Sequence, residues 1–115
     1  MATKASLSSA FCIYILLDGE GTHVVENPGR AMKVIEVRVY NREGTPEFAL
    51  HNSDGQEIVE ACPTEEQGWK DMPISDEGSE VKPAQNLVLI SESKSISQIV
   101  IGCLASGGGQ PLIVL

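Results

Sequence analysis

Residues 32–62, MKVIEVRVYNREGTPEFALHNSDGQEIVEAC, hold the clearest strand and turn patterns of this chain and indicate its fold class. Apolar and polar side chains alternate over residues 32–40, which predicts a half-buried β-strand with Ile35, Val37 and Val39 on one face. Two shorter apolar runs follow, separated by Asn52-Ser53-Asp54-Gly55, a turn sequence in which glycine supplies a positive φ. Residues 47–62 are therefore predicted to form a β-hairpin.

The segments on either side of this stretch also alternate between apolar runs and turn residues. The run FCIYILL (11–17) predicts a strand buried on both faces, and residues 86–105 predict a second hairpin that turns at Ser93-Lys94-Ser95. No segment has convincing helical periodicity. We therefore predict one all-β domain, an antiparallel β-sandwich or jelly-roll-like barrel of six to seven strands. Its predicted parts are a single domain over 1–115, an N-terminal arm at 1–9, a long acidic loop at 63–85 and a hinged C-terminal strand at 106–115.

The net charge of −8 is concentrated in one part of the sequence. Nine acidic residues and one basic residue, Lys70, lie between Asp54 and Glu80, while acids and bases cancel elsewhere. Nucleic-acid affinity depends on Lys and Arg that neutralise phosphates, so we expect no nucleic-acid partner. No apolar run approaches the roughly 20 residues of a membrane helix, and no signal-peptide cleavage site is visible, so we expect no membrane partner and synthesis in a cytoplasm.

The histidines and cysteines of the sequence form no convincing catalytic or metal site. His23 and His51 lack neighbours at metal-ligand spacing, so no metal or cofactor is expected. Cys62 and His51 lie on opposite arms of the predicted hairpin, but the acids after Cys62 oppose a thiolate. The odd number of cysteines favours buried, reduced thiols over a disulfide framework. We predict that the protein is not an enzyme and has no catalytic residues.

Two apolar groups remain as candidate partner-binding residues. Trp69, Met72 and Ile74 stand inside the acidic loop, an arrangement of apolar anchors within a charged rim that is typical of interfaces. The same residues would also serve to tether the loop to its own sandwich. The second group is Leu112, Ile113, Val114 and Leu115, an apolar strand after a glycine hinge that either docks on its own sheet or adds to a neighbouring subunit. We expect a homo-oligomer, with a trimer favoured over a dimer.

The order of strands and turns resembles a known group of proteins. KVIEVRVYNREG, TPEFALHNSDGQEIV and QNLVLISESKSISQIVIG together resemble the small β-sandwich capsid decoration (cement) proteins of tailed bacteriophages, over roughly residues 30–105. The resemblance implies a non-catalytic virion structural protein that binds the major capsid protein on the outer capsid surface. The alternative is a tail-fibre or carbohydrate-recognition module, although sugar binders usually expose several aromatic side chains and this chain has five in all.

Overall fold

The computed structural model describes residues 10–17, 20–27, 29–75 and 79–105, none of which is helical. No helix in these ranges is long and apolar enough to cross a membrane. The strands in this described part are β1 (Ala10–Leu16), β2 (Gly21–Val25), β3 (Met32–Asn41), β4 (Glu47–Asn52), β5 (Glu57–Pro63), β6 (Gly68–Asp71), β7 (Glu80–Val81), β8 (Leu87–Ser91) and β9 (Ile96–Ala105). The prediction of an all-β antiparallel sandwich is confirmed, but the described residues hold nine strands and not six to seven.

The strands form two sheets whose pairing has jelly-roll topology. Sheet I has the order β1-β9-β3-β6, with β7 also paired to β3, and sheet II has the order β2-β8-β4-β5. The antiparallel pairs are nested, since β1 pairs with β9, β2 with β8, β3 with β6 and β7, and β4 with β5. This nesting gives two four-membered layers when β6 and β7 are taken as one strand position. The higher strand count comes from the short strand β2 and from β6 and β7, which both lie within the predicted loop 63–85.

Strand β3 supplies much of the core but carries a bulge that changes which face one residue occupies. Val34, Val37 and Val39 are buried between the sheets. The register with β9 shifts between Val34 and Glu36, so Ile35 faces outward and is 48% exposed. The predicted placement of Ile35 with Val37 and Val39 was therefore wrong, because the extra residue of a bulge breaks the period-two alternation.

The predicted hairpin over residues 47–62 is confirmed as β4 and β5. Its turn is closed by Asn52, whose Oδ1 accepts hydrogen bonds from the backbone N–H of Asp54 and of Gln56, both at 3.0 Å. Gly55 has a φ of 87°, a conformation that favours glycine. The turn residues therefore act as the sequence indicated.

The second predicted hairpin does not exist, because β8 and β9 belong to different sheets. The connection at Ser93-Lys94-Ser95 is a corner that crosses from sheet II to sheet I. Ser95 Oγ donates to Asn41 Oδ1 at 2.6 Å, and the Arg42 backbone N–H donates to the Ser95 carbonyl at 2.8 Å. These bonds attach the corner to the end of β3, so that β9 pairs with β3 and β1 instead of β8.

Two other segments differ from expectation. Strand β1 is an edge strand and is not buried on both faces: Phe11, Ile13 and Ile15 pack on the core, while Tyr14 is 57% exposed. Within the predicted loop 63–85, β6 and β7 both pair with β3. Between them the Met72 backbone N–H donates to the Val37 carbonyl at 2.8 Å. This segment therefore follows the edge of sheet I.

Candidate interaction face

The outer face of sheet I carries an apolar and aromatic surface built by strand register. One row across the sheet runs Leu16, Gln98, Tyr40 and Trp69, from β1 through β9 and β3 to β6. The next row contains Tyr14, Val100, Arg38 and Asp71. We call this surface the aromatic face, defined by Tyr14, Leu16, Tyr40, Trp69 and Val100.

The side chains of the aromatic face differ in exposure. Leu16 is 70% exposed, Tyr14 57% and Trp69 39%, while Tyr40 and Val100 are half-buried. Single exposed apolar side chains are normal on protein surfaces, but a contiguous group marks an interaction site. Gln98 lies between Leu16 and Tyr40 in the first row, but Val100 in the next row is diagonal to both, so the residues form such a group across the two rows.

Trp69 is held in place by its neighbours on β3. Its ring meets that of Tyr40 edge to face, with centroids 5.5 Å apart and an interplanar angle of 63°. The Arg38 guanidinium lies 5.7 Å from the Trp69 ring centroid, and Arg38 Nε lies 3.0 Å from Asp71 Oδ1. This ion pair is largely exposed, so it orients Arg38 and adds little stability. An aromatic side chain fixed before binding loses little conformational entropy when a partner arrives.

Of the predicted partner-binding residues that the structure describes, only Trp69 belongs to the aromatic face. Trp69 lies on it, whereas Met72 is 4% exposed in the core and Ile74 is half-buried against the core. Met72 and Ile74 thus tether the segment to its own sandwich, the alternative left open above. Leu112, Ile113, Val114 and Leu115 lie outside the described residues.

Sequence reasoning missed Tyr14, Leu16 and Tyr40 as members of this face. The available signal was alternation within β1, where Ala10, Cys12, Tyr14 and Leu16 all point outward. That signal was hidden because the inward positions between them are apolar too. The grouping of β1 with Tyr40 and Trp69 depends on the pairing of β9 with both β1 and β3, which local sequence does not encode.

A cavity of about 320 Å³ lies between the sheets where β1, β3 and β8 begin. Its apolar lining comes from Phe11, Ile13, Val25, Met32 and Leu87. The guanidinium of Arg30 stands at its rim, 5.3 Å from the centroid of the Phe11 ring. A second, polar cleft of about 700 Å³ lies at the Ser93-Lys94-Ser95 corner.

The thiols and histidines occupy separate places. His51 pairs with Glu57 on β5, while Cys62 pairs with Phe48, so the two do not face each other. Lys70 Nζ lies 3.7 Å from Cys62 Sγ and donates to the Pro63 carbonyl at 2.7 Å.

Cysteine burial varies from one position to the next. Cys103 is buried and Cys62 half-buried, but Cys12 is exposed, which corrects the expectation of three buried thiols. Burial, with a smaller effect of Cys12, raises the pKa of Cys103 to about 11. Within the described ranges, no three His, Cys, Asp or Glu side chains are grouped to hold a metal ion.

Comparison with known proteins gives one structural likeness. No protein-family model matches the sequence, and no curated protein matches it. The fold is similar to the core of Drosophila NLP, a protein described as forming a pentamer and binding histones. The two chains are 10% identical, the alignment covers 85% of this chain and 96% of the other, and the TM-score is 0.41. At this level the likeness carries no argument about function or assembly.

Proposed function

We propose that this protein is a non-catalytic virion structural subunit that attaches to the outer surface of a bacteriophage capsid through its aromatic face. The observation that carries the binding role is the contiguous group of Tyr14, Leu16, Tyr40 and Trp69 on sheet I. Aromatic residues held in a fixed orientation are the usual anchors of protein interfaces. The choice of a capsid, and of its major capsid protein as partner, comes from the sequence resemblance alone.

Charged side chains lie around the aromatic face. Glu36, Arg38 and Asp71 lie on the same outer surface and are exposed. Charges at the rim of an interface act mainly on the rate of encounter and its salt dependence, whereas a central aromatic anchor acts on dissociation. Binding to a capsid should therefore be slowed by salt in its association step and should depend on Trp69 for its lifetime.

The test is binding to undecorated capsids, measured by co-sedimentation and by association and dissociation rates. Trp69→Ala should weaken binding by about 2 kcal/mol, roughly thirtyfold, mainly through faster dissociation. Val24→Ala is the matched control, because Val24 is 59% exposed on β2 in the other sheet. Equal affinity of the two variants would remove the aromatic face from the interface. Failure of the unsubstituted protein to bind capsids would refute the capsid as partner.

A carbohydrate-recognition role is the second candidate, and a specific observation favours it. Both tyrosines and the only tryptophan of the chain are on the aromatic face, so three of its five aromatic side chains share one surface. Against it, the Tyr40 and Trp69 rings meet at 63° and offer no common plane for a sugar ring. Binding to a panel of purified polysaccharides that is lost in Trp69→Ala, without capsid binding, would select this candidate.

A further inference from the structure

Strand β1 leaves one long edge of sheet I without a partner among the described strands. It pairs with β9 through all seven of its residues, and no other described strand pairs with it. The sequence AFCIYIL contains no glycine, proline or charged residue. Proteins usually protect edge strands with charged side chains or proline, because unpaired backbone groups otherwise bind another strand. The edge of β1 therefore has the composition of a strand-pairing surface.

The neighbouring edge of sheet II has the same character. Phe11 and Ile13 of β1 line one cavity together with Val25 of β2, so β1 and β2 lie on the same side of the sandwich. Strand β2, with the sequence GTHVV, also contains no Asp, Glu, Lys or Arg. A partner that approaches β1 therefore meets no charge on either edge strand of this side.

We infer that β1 of one copy pairs antiparallel with β1 of a second copy, about a two-fold axis at Ile13. In this register Ile13 meets its own counterpart, Phe11 lies opposite Ile15, and Cys12 lies opposite Tyr14. Side chains that face the core in one copy then lie opposite core-facing side chains of the other copy, and exposed ones lie opposite exposed ones. The hydrophobic cores of the two copies therefore become continuous. The pairing satisfies both free edges at once and closes as a dimer, as isologous contacts do.

A second copy is a better occupant than an unrelated strand for two reasons. The uncharged, alternating sequence of β1 is complementary to itself in this register, with no like charges opposed. The other lateral edge of the same molecule is a poor partner, because β5 carries Glu57, Glu60 and Pro63 and pairs with β4 through two register shifts. Pairing of β1 with β5 of another copy, which would build rings or open chains, is thereby disfavoured. The inference is therefore a dimer, whereas the sequence favoured a trimer.

Pairing would also enlarge the aromatic face. Tyr14 and Leu16 lie at the β1 end of its two rows, so in the dimer the two aromatic faces adjoin across the two-fold axis. The inference concerns the pure protein and needs no capsid. Its failure is therefore distinguishable from failure of the capsid-binding proposal.

The experiment is sedimentation velocity of the full chain over a range of concentrations, with paired charge variants of β1. The unsubstituted protein should be a dimer that dissociates on dilution. C12K/Y14K places lysines opposite each other twice, and should raise the dissociation constant about tenfold or more. C12K/Y14E places opposite charges there and should restore dimerisation. I35K is the control, because Ile35 is exposed on β3 away from the edge, and it should remain dimeric.

Several outcomes would overturn the inference. They are a monomer at every concentration, an oligomer larger than a dimer, or equal dissociation of C12K/Y14K and C12K/Y14E. A monomer whose β1 amides are protected from hydrogen exchange would show that another part of the same chain covers the edge. If a variant does not fold, hydrogen exchange of the unsubstituted chain decides: protection of β1 that rises with concentration supports the pairing, and constant protection refutes it.

Discussion

The sandwich has two lateral sides, one ending in β1 and β2 and the other in β5, β6 and β7, and they differ in charge. Strands β1 and β2 hold no Asp, Glu, Lys or Arg. The opposite strands hold Glu57, Glu60, Lys70, Asp71 and Glu80. We call these the uncharged side and the acidic side. One pair of sheet edges therefore carries charges that oppose pairing with another strand, whereas the other pair carries none.

The acidic side carries most of the net negative charge of the chain. The surplus of acids runs from Asp54 to Glu80, which covers β5 to β7 and their connections. Charge placed on edge strands opposes pairing with other chains at little cost to folding, because the side chains stay in water. The sequence left two roles open for the acidic segment, partner binding and attachment to its own sandwich, and the structure places its charges along a sheet edge, where they oppose pairing with another strand.

The largest predicted effect is on the free energy of unfolding, and it distinguishes a core residue of the acidic side from a surface residue. Met72 is buried, so Met72→Ala should lower the free energy of unfolding by about 3 kcal/mol through lost burial and a cavity. Trp69→Ala, three positions away on an exposed face, should lower it by about 1 kcal/mol or less. Urea unfolding of the two variants measures both values. Equal losses would show that Trp69 belongs to the core and would weaken the aromatic face as a binding surface.

A smaller effect is predicted for removing the charges that protect β5. Glu57→Thr with Glu60→Thr should leave the free energy of unfolding within about 0.5 kcal/mol of its original value, because both side chains are exposed. The unprotected edge should nevertheless begin to pair, so light scattering should detect species larger than the dimer. E65Q/E66Q removes two charges from the turn before β6 and is the control. Unchanged association of the β5 variant would mean that its bulges, and not its charges, protect this edge.

Local features of the fold were predictable because they depend on residues close in sequence. The β4–β5 hairpin follows from Asn52 and Gly55, whose side chain and positive φ form the turn directly. The alternation of β3 follows from its half-buried position, although the bulge at Ile35 is not visible in the pattern. The prediction of an all-β fold required only such local strand and turn patterns.

The candidate site was mostly not predictable, because it depends on which strands become neighbours. The run FCIYILL is equally suited to a strand buried on both faces and to an edge strand with an apolar outer face, so Tyr14 was misplaced. The corner at Ser93-Lys94-Ser95 has the length of a hairpin turn, but its bonds to Asn41 and Arg42 attach it to the end of β3, and β9 then pairs in the other sheet. Without that crossing, Tyr14 and Trp69 would not share a surface.

The most direct measurement of the difference between the two sides is amide hydrogen exchange of the unsubstituted protein at low and high concentration. The β1 amides that do not pair with β9 should exchange fast at low concentration and slowly at high concentration, as the second copy pairs with them. The unpaired edge amides of β5 should exchange at the same rate in both samples, because the acidic side stays in solvent. Protection of β5 that rises with concentration, or β1 amides that exchange alike in both samples, would contradict the assignment of the uncharged side as the place where copies meet.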